Sequence, residues 1–477
     1  MDREGYRVER DLFGEVLIPV EAYYDTSTVR AIENFPISGL RFPRAFIRAL
    51  GLIKYSAAKV NLKLGLLDRD RAEAIMRAAL EVVDGRYDDQ FVVDIFQTGS
   101  GTSTNMNANE VIANRAAELL GGKKGDKKLI HPNDHVNMCQ STNDVFPTAI
   151  HISVAESIIK MLLPSLKILE ESLRMKASEF ESIVKCGRTH LQDAVPITLG
   201  QEFSGYASMI RHGIQRLERN MEEILELPIG GTAVGTGLNA HPDFGRMVVE
   251  EISNITNIMF KVSENRFEQL QLRDSCVSIS GCLRTIAGSI LKIIRDLRLL
   301  SSGPNTGLGE IEVPATQPGS SIMPGKVNPV ILESSMLVCV KIFGSDLTIA
   351  LSNQLGELEL NMGMPLIAYE LLESIRLLSN MSKNLAVKCI NGLRANVERC
   401  RYYAEVSPAL VTALTPIIGY DRGALIAKKI VDEKKTITQA LIEEGYSVDD
   451  LKDVIDPLRL TKGGIISKTS IKRGESL

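Results

Sequence analysis

Apolar residues recur at alternating three- and four-residue steps through the middle of the chain. This spacing places them on one narrow face of a helix, as in long helices packed at shallow angles in a bundle. Two such seams are Ile152, Ala155, Ile159, Leu162, Leu166, Leu169 and Leu173, and then Leu283, Ile286, Ile290, Ile293, Leu297 and Leu300. The first seam continues past Pro164, so we expect this proline to bend the helix rather than to end it.

Residues 200–227 and 329–352 also predict long helices, whereas signals for strands are weak. The stretch "FGEVLIPVEAYY" near the start is compatible with one short hairpin. The pattern therefore predicts a mainly all-α fold built on a bundle of unusually long helices.

Composition narrows the class of protein further. Of the 477 residues, 44% are hydrophobic and 24% are charged, and the net charge of −4 gives no basic footprint for nucleic acid. No continuous apolar run approaches the roughly 20 residues that span a bilayer, and the charged start "MDREGYRVERDLFGE" does not resemble a signal peptide. Seven scattered cysteines, never in CxxC spacing, argue against a disulfide framework or a zinc site. We therefore expect a cytoplasmic protein with no membrane or nucleic-acid partner and no metal or other cofactor.

Polar, glycine-rich loops separate the predicted helices. They span residues 97–109, 131–147, 186–201, 228–241 and 301–329. Their side chains are mostly hydroxyls and amides, joined by a few positive groups such as Lys326 and His190. Neutral donors together with a lysine and a histidine suit a small dianion, which hydroxyl and N–H groups can surround.

Other chemistries fit these loops less well. "GSSIMPGK" has five residues between its glycines and Val327 after its lysine, so it is not a P-loop. His131 and His135 are four residues apart, but they lack the HExxH pattern and a third ligand. A triad of Ser320, His190 and Asp193 lacks the strand–GxSxG–helix context. "GGTAVGTG" joins two predicted helices and does not follow a strand, which disfavours a dinucleotide site.

At the level of whole motifs, the chain resembles the fumarase/aspartase superfamily. "GSSIMPGKVNP" resembles its signature loop, and "GSGTSTNMNANEVIANRA", "HPNDHVNMCQSTNDVFPTAIHI", "GRTHLQDAVPITLGQEF" and "GGTAVGTGLNAH" resemble its other blocks. The resemblance runs from about residue 7 to about residue 460. It implies three domains: residues 1–138, mixed but mostly helical; residues 139–397, with a five-helix bundle; and residues 398–477, small and helical. It also implies a homotetramer with a twenty-helix core and active sites shared between three subunits.

The resemblance also assigns roles to particular residues. Ser320 would be the base that removes the C3 proton of a C4 acid, giving an aci-carboxylate intermediate. Lys326 and Asn328 would hold the substrate carboxylates, and His190, with Glu333 behind it, would handle the water. The remaining substrate-binding residues would be Ser100, Thr102, Ser141, Thr142, Asn143, Thr189 and Ser321. A secondary dicarboxylate site would comprise His131, Asn133 and Asp134.

Two activities fit this resemblance. "QTGSGT" and "NRFEQL" favour a fumarase, which reversibly hydrates fumarate to L-malate, whereas "AIENFPISG" and "QSTND" lean towards aspartate ammonia-lyase. Asn305 stands where both branches usually have arginine, and "YYDTST" lacks their usual glycine. Retention of Ser320, Lys326 and His190 argues against an inactive helical scaffold. We predict a fumarase.

Overall fold

A computed structural model of the chain describes residues 5–447 and 454–464. Helices dominate residues 5–447, as the hydrophobic pattern predicts, and residues 454–464 contain one short helix. The α-helices are α1 Thr26–Asn34, α2 Arg44–Lys63, α3 Arg69–Val83, α4 Thr102–Leu119, α5 Thr142–Ser157, α6 Leu163–Glu179, α7 Leu199–Arg219, α8 Met221–Ile224, α9 Phe244–Thr256, α10 Arg266–Gln271, α11 Asp274–Leu300, α12 Val330–Asn353, α13 Met364–Lys388, α14 Val397–Val406, α15 Thr415–Ile418, α16 Tyr420–Glu433, α17 Ile437–Glu443 and α18 Pro457–Leu460. Short 3-10 or π turns cover Asp88–Gln90, Pro132–Val136, Ile158–Leu162, Ile390–Gly392 and Pro408–Ala413.

The strands of the described residues form small two-stranded sheets. They are β1 Tyr6–Asp11, β2 Gly14–Pro19, β3 Val184–Thr189, β4 Gln192–Thr198, β5 Glu226–Leu227, β6 Lys261–Val262, β7 Ile311–Glu312, β8 Gly356–Glu357, β9 Leu360–Asn361 and β10 Arg394–Ala395. The pairs β1–β2, β3–β4, β7–β10 and β8–β9 are antiparallel, and β5–β6 is parallel. The fold is therefore mainly all-α, as predicted.

The chain forms two compact units, and each is built from three separate stretches. The first unit comprises residues 1–164, 213–287 and 338–380, and the second comprises residues 165–212, 288–337 and 381–477. Because these units interleave along the sequence, they do not test a division into consecutive domains. The boundaries after residues 138 and 397 stay a prediction.

The first apolar seam is buried as predicted, with one exception. Ile152, Leu166 and Leu173 are fully buried, but Ile159 is 38% exposed. A π turn at Ile158–Leu162 adds a residue to one helical turn. Ile158 therefore points inward in place of Ile159, and Leu162 is buried as predicted. The helical path then continues through Pro164 into α6, as predicted. Every residue of the second seam, on α11, is buried.

Two of the long helices are as apolar as membrane spans. The helices α11 and α12 each contain an 18-residue window with a mean hydropathy of 1.5. Half of that window is buried in α11 and a third in α12. Hydropathy of this kind is also typical of helices in the core of a large protein or an assembly.

In the first unit, the N-terminal hairpin lies slightly earlier than the sequence indicated. Strands β1 and β2 pair from Tyr6 with Pro19 to Asp11 with Gly14. Beyond it, Asp25 caps α1 by accepting a hydrogen bond from the Thr26 N–H at 2.7 Å. Its φ of −132° is ordinary extended backbone, so the segment has no need of the superfamily's glycine. The buried Glu110 carboxylate accepts from the N–H groups of Asp25 and Thr28 and secures the same helix start.

In the second unit, a small apolar cluster organises the C-terminal helices. It consists of Leu410, Val411, Leu414, Ile426, Ile430, Ile437, Ala440, Leu441 and Val454. These residues come from the 3-10 turn Pro408–Ala413, from α16 and α17, and from their flanking loops. The C-terminal helices α16 and α17 therefore share a compact core with the 3-10 turn before them.

Candidate functional site

The loop 317–330 is closed on itself by two hydrogen bonds. The Gly319 N–H donates to the Lys326 carbonyl at 3.0 Å, and the Asn328 side-chain amide donates to the Gly319 carbonyl at 2.5 Å. A Cβ on Gly319 would lie 2.4 Å from the Lys326 carbonyl oxygen, so only glycine allows this approach. The closure holds the start of the loop beside Lys326 and Asn328.

Ser320 follows this closure directly, and its side chain is held by the backbone. Its Oγ accepts hydrogen bonds from the N–H of Met323 at 2.9 Å and from the N–H of Ile322 at 3.3 Å. Donors that converge on an oxygen stabilise negative charge on that oxygen. The local turn therefore suits Ser320 to hold or release a proton. Ser321, the next residue, is exposed.

A cavity of about 990 Å³ in the second unit gathers the charged residues of this region. Lys326, Asn328 and Glu333 line it, together with Arg295 and Arg298 from the last turns of α11. Lys326 forms no ion pair with any described residue, so its charge is available to a ligand. The cavity has room for much more than one small dicarboxylate.

Thr189 and His190 lie at the tip of a hairpin rather than in a loop. Residues 186–201 were expected to be irregular, but most of them belong to β3 and β4. His190 and Leu191 form the two-residue turn, with left-handed φ angles of 56° and 59°. Hairpins of type I′ require this conformation, and its usual Asn-Gly signal is missing from "THLQ". Leu191 lines the 990 Å³ cavity, whereas the His190 side chain is exposed and forms no hydrogen bond with Glu333 within the described chain.

A buried carboxylate anchors this hairpin to the segment before the signature loop. Glu310 is fully buried, and its oxygens accept from the Arg188 guanidinium at 2.9 and 3.0 Å. Lys185 lies 3.5 Å from the same carboxylate. Hydrogen bonds and charge from Glu310 raise the pKa of Arg188, although burial acts most strongly and in the opposite direction. The sequence analysis did not identify Glu310.

In the first unit, Ser100 and Thr102 lie at the start of α4. Their hydroxyls are 2.8 Å apart, and Gly101 between them caps the helix with a left-handed φ of 82°. A Cβ on Gly101 would lie 2.1 Å from the ring of Phe146, on the first turns of α5. This close approach places the N-terminal ends of α4 and α5 side by side.

Ser141, Thr142 and Asn143 begin α5. Ser141 is the N-cap and forms a capping box with Asp144. The Thr142 hydroxyl accepts from the Asn105 amide of α4 at 3.0 Å, and Asn143 donates to the Ala233 carbonyl at 2.8 Å. The N-terminus of a helix carries partial positive charge and unpaired N–H groups, which favour an anion.

Two buried charges lie beneath this helix start, and the sequence analysis missed both. Asp144 accepts from the N–H groups of Ser141, Gly230 and Thr232, each at 2.9 Å. Burial raises the pKa of Asp144 to about 6, and the nearby Lys54 opposes that shift. Burial lowers the pKa of Lys54 to about 7. The signals were present: Asp144 ends an S-x-x-D capping pattern, and Lys54 is a lone charge inside the apolar run "ALGLIKYSAA".

His131 caps the π turn Pro132–Val136, which contains Asn133 and Asp134. The His131 Nδ1 atom accepts from the backbone N–H of Asn133 at 3.2 Å and of Asp134 at 3.1 Å. The Asp134 carboxylate lies 3.4 Å from the same nitrogen. The turn therefore leaves the His131 Nε2 atom as the ring nitrogen available to a ligand.

Cys139 should be the fastest of the seven cysteines to react with iodoacetamide. It is half-buried, and the other six are buried. Burial raises the pKa of the Cys139 thiol, so it should react more slowly than free cysteine but several-fold faster than the rest. Peptide mass spectrometry over a time course would test this order. Faster labelling of any other cysteine would contradict the placement of the 137–144 loop.

Among residues 5–447 and 454–464, no group of three or more His, Cys, Asp and Glu side chains is placed to hold a metal ion.

The predicted site residues thus fall into two sets. The first unit holds the starts of α4 and α5 and the His131 turn, and the second unit holds the β3–β4 hairpin tip and the signature loop. In the second unit, Leu191 of the hairpin turn lines the same cavity as Lys326, Asn328 and Glu333.

Comparisons with known proteins identify the family. A family model described as "Lyase" matches residues 14–344, and one described as "Fumarase C C-terminus" matches residues 410–462. The class II fumarate hydratase of Mycobacterium tuberculosis H37Rv is 50% identical over 467 residues, which cover 97% of each chain.

Two solved structures are similar over nearly the whole chain. The crystal structure of class II fumarase from Schistosoma mansoni matches with a TM-score of 0.93 at 39% identity, covering 96% of this chain and 99% of that one. That of "fumarate lyase:delta crystallin" from Brucella melitensis bound to cobalt matches with a TM-score of 0.92 at 47% identity, with the same coverage. These similarities favour the fumarase branch over the aspartase branch. The chain belongs to the family of class II fumarate hydratases.

Proposed function

We propose that this protein is a lyase that reversibly hydrates fumarate to L-malate. The observation that carries the proposal is the 50% identity to a class II fumarate hydratase over 97% of both chains. Ser320, Lys326, Asn328, His190 and Glu333 are all present in this chain at the positions that the motifs predict.

Ser320 is the base in the dehydration direction. Its Oγ, as an alkoxide, takes a proton from C3 of malate, and the electron pair moves into the neighbouring carboxylate to give the aci-carboxylate. The N–H groups of Ile322 and Met323 support this role because they stabilise the alkoxide before the proton arrives. In hydration, the same hydroxyl returns the proton to C3.

Positive charge and helix ends hold the dicarboxylate. Lys326, with no ion pair among the described residues, faces the carboxylate on which charge develops, and Asn328 and Ser321 lie beside it. Ser100 and Thr102 at α4, and Ser141, Thr142 and Asn143 at α5, donate hydrogen bonds from helix N-termini. Thr189, at the hairpin tip, completes this set.

His190 is the general acid for the departing hydroxyl group. In dehydration it protonates the C2 hydroxyl as the carbon–oxygen bond breaks, and water leaves. Glu333 orients the imidazole in the assembled enzyme. The tight β3–β4 turn supports this role because it presents His190 on a short, well-defined tip. His131, Asn133 and Asp134 form a secondary dicarboxylate site.

The working enzyme is a homotetramer with each active site assembled from three subunits. An exposed apolar stripe on α12 supports this arrangement, and its members are Val340, Phe343, Leu347 and Leu351. Their spacing matches the seam of a helix bundle, and an uncovered stripe of this kind on a long helix is costly in water. A second copy of the chain covers it.

Leu347→Glu should therefore break the assembly. The substitution places a charge in the middle of the stripe, where Leu347 is 61% exposed in the single chain. We expect wild type to sediment at about four times the mass of one chain and the variant to sediment as smaller species with most activity lost. Sedimentation velocity tests this, and a variant that remains a fully active tetramer would place the subunit interface elsewhere.

The enzyme acts in the cytoplasm, where fumarate hydration is a step of the tricarboxylic acid cycle. The seven free cysteines support a reducing compartment.

Loss of the ultraviolet absorbance of fumarate tests the function directly. Purified protein is assayed in buffer alone and with added ammonium, and the products are identified. Loss of absorbance in buffer alone, with malate formed, is the expected result. Loss only with ammonium, giving aspartate, would make the protein an aspartate ammonia-lyase, and no loss in either case would refute both activities.

A further inference from the structure

Lys54 is a charged side chain buried in the middle of α2. It is fully buried and forms no ion pair within 4.0 Å among the described residues. Its ammonium group instead donates to two side-chain carbonyls, Asn137 Oδ1 at 2.8 Å and Gln140 Oε1 at 3.0 Å. Burying an ammonium group is costly, so an apolar residue would suit packing alone better.

The ammonium group fixes the direction in which both amides point. The protonated lysine has three donors and no acceptor, so Asn137 and Gln140 turn their oxygens towards it. The Gln140 amide nitrogen then donates to the carbonyls of Val136 and Met138, each at 3.1 Å. The loop that leads into α5 is tied together in this way.

The orientation of Asn137 also fixes the orientation of Asn105, which contacts Thr142. The Asn137 oxygen also accepts from the Asn105 Nδ2 group at 3.3 Å, and that group donates to the Thr142 hydroxyl oxygen at 3.0 Å. If Asn105 were flipped, its oxygen would face the Asn137 oxygen, and two acceptors would repel. Because Asn105 donates to Thr142, the hydroxyl proton of Thr142 stays free for another acceptor.

We propose that Lys54 is a positioning residue that sets this hydrogen-bond chain so that the Thr142 hydroxyl donates to a substrate carboxylate. The inference rests on the proposed function, because it takes Thr142 as a substrate-binding residue. Without the lysine, the Asn137 orientation is held by one hydrogen bond fewer, leaving only the bond from its Nδ2 group to the Gln140 carbonyl at 3.2 Å. A flip of Asn137 and Asn105 then becomes less costly, and the flipped Asn105 oxygen accepts the Thr142 proton in place of the substrate.

Asp144 supports the arrangement from the other side. Its carboxylate accepts three backbone N–H groups, which favour its ionised form, and it attracts the Lys54 charge. Lys54 therefore holds the loop before α5, and Asp144 holds the first turn of α5.

Lys54→Met keeps an unbranched side chain that is one atom shorter, but removes the charge and the donors. A hydrogen bond to a charged ligand is worth about 10- to 100-fold in binding, so we expect KM for fumarate and malate to rise by that factor, with a smaller change in kcat. Thr142→Val should have the same effect. The double variant should be no worse than Thr142→Val alone, because both changes remove one donated hydrogen bond.

Lys59→Met is the matched control on the same helix. Lys59 donates to Glu251 at 2.5 Å and takes no part in the hydrogen bonds between Lys54 and Thr142. Replacing Lys59 should therefore leave KM unchanged. If Lys54→Met fails to fold, Asn105→Asp places an acceptor oxygen against the Thr142 hydroxyl in place of the donating amide, and it should show the same lack of additivity with Thr142→Val.

Each outcome decides a separate point. Additive losses in the double variant, or an unchanged KM in Lys54→Met, would overturn the inference while wild-type fumarate hydration still stands. An unaffected Thr142→Val would overturn both the inference and the role of Thr142. A wild type without hydratase activity would refute the proposed function itself.

Discussion

Ser320→Ala should lower kcat for fumarate hydration by about 10³-fold, within the range that a general acid–base group supplies. The substitution removes the oxygen that the N–H groups of Ile322 and Met323 hold in place. KM should change little, because the proposed function assigns binding of the dicarboxylate mainly to Lys326, Asn328 and the two helix starts. Initial rates with fumarate and with malate, fitted for kcat and KM, would measure both effects.

Ser204→Ala serves as the control for this variant. Ser204 is exposed on α7, and its hydroxyl donates only to the Gln201 carbonyl within the described chain, so kcat should be unchanged. Binding of a non-reactive dicarboxylate to Ser320→Ala, measured by calorimetry, should resemble wild type. If Ser320→Ala keeps more than a tenth of its turnover, another residue is the base.

Gly319→Ala should lower kcat/KM by about 10²-fold although it changes no functional group. Its methyl group would lie 2.4 Å from the Lys326 carbonyl oxygen and 2.6 Å from the backbone nitrogen of Asn328, so the closed loop has to open. Opening displaces Ser320 relative to Lys326, and a misplacement of about 1 Å costs about 10²-fold in rate. Steady-state kinetics and thermal melting would be measured together.

The melting temperature of Gly319→Ala should stay close to wild type, because much of this loop is exposed and contributes little to the core. Gly205→Ala is the matched control, since a Cβ at that helical position meets nothing within 4 Å. Wild-type kcat/KM in Gly319→Ala would mean that the closed loop is not the catalytic geometry.

The helical architecture could be predicted from the sequence because the spacing of apolar residues along a helix is a local property. The seam of α11, from Leu283 to Leu300, is buried without exception. The seam around Ile159 failed at one residue because a π turn depends on packing along the whole helix rather than on local spacing. The predicted helix 200–227 likewise ends at Arg219 and restarts as the short α8.

The candidate site could be predicted only in part, from residue types and from motifs. Hydroxyl- and amide-rich loops pointed to a small dianion, and whole motifs supplied the roles of Ser320 and Lys326. The supporting charges Lys54, Asp144 and Glu310 were missed because their partners are distant in sequence. The β3–β4 hairpin was missed because His190 and Leu191 occupy a turn that usually contains glycine or asparagine.

That turn has a consequence for engineering the protein. Two side chains in the left-handed region cost stability, and a glycine at position 190 or 191 would relieve part of that strain. A search for thermostable variants would therefore favour glycine there, yet glycine at position 190 removes the imidazole. Under the proposed role of His190, selection for heat resistance and selection for turnover therefore favour different residues at position 190, whereas glycine at position 191 relieves strain and keeps the imidazole.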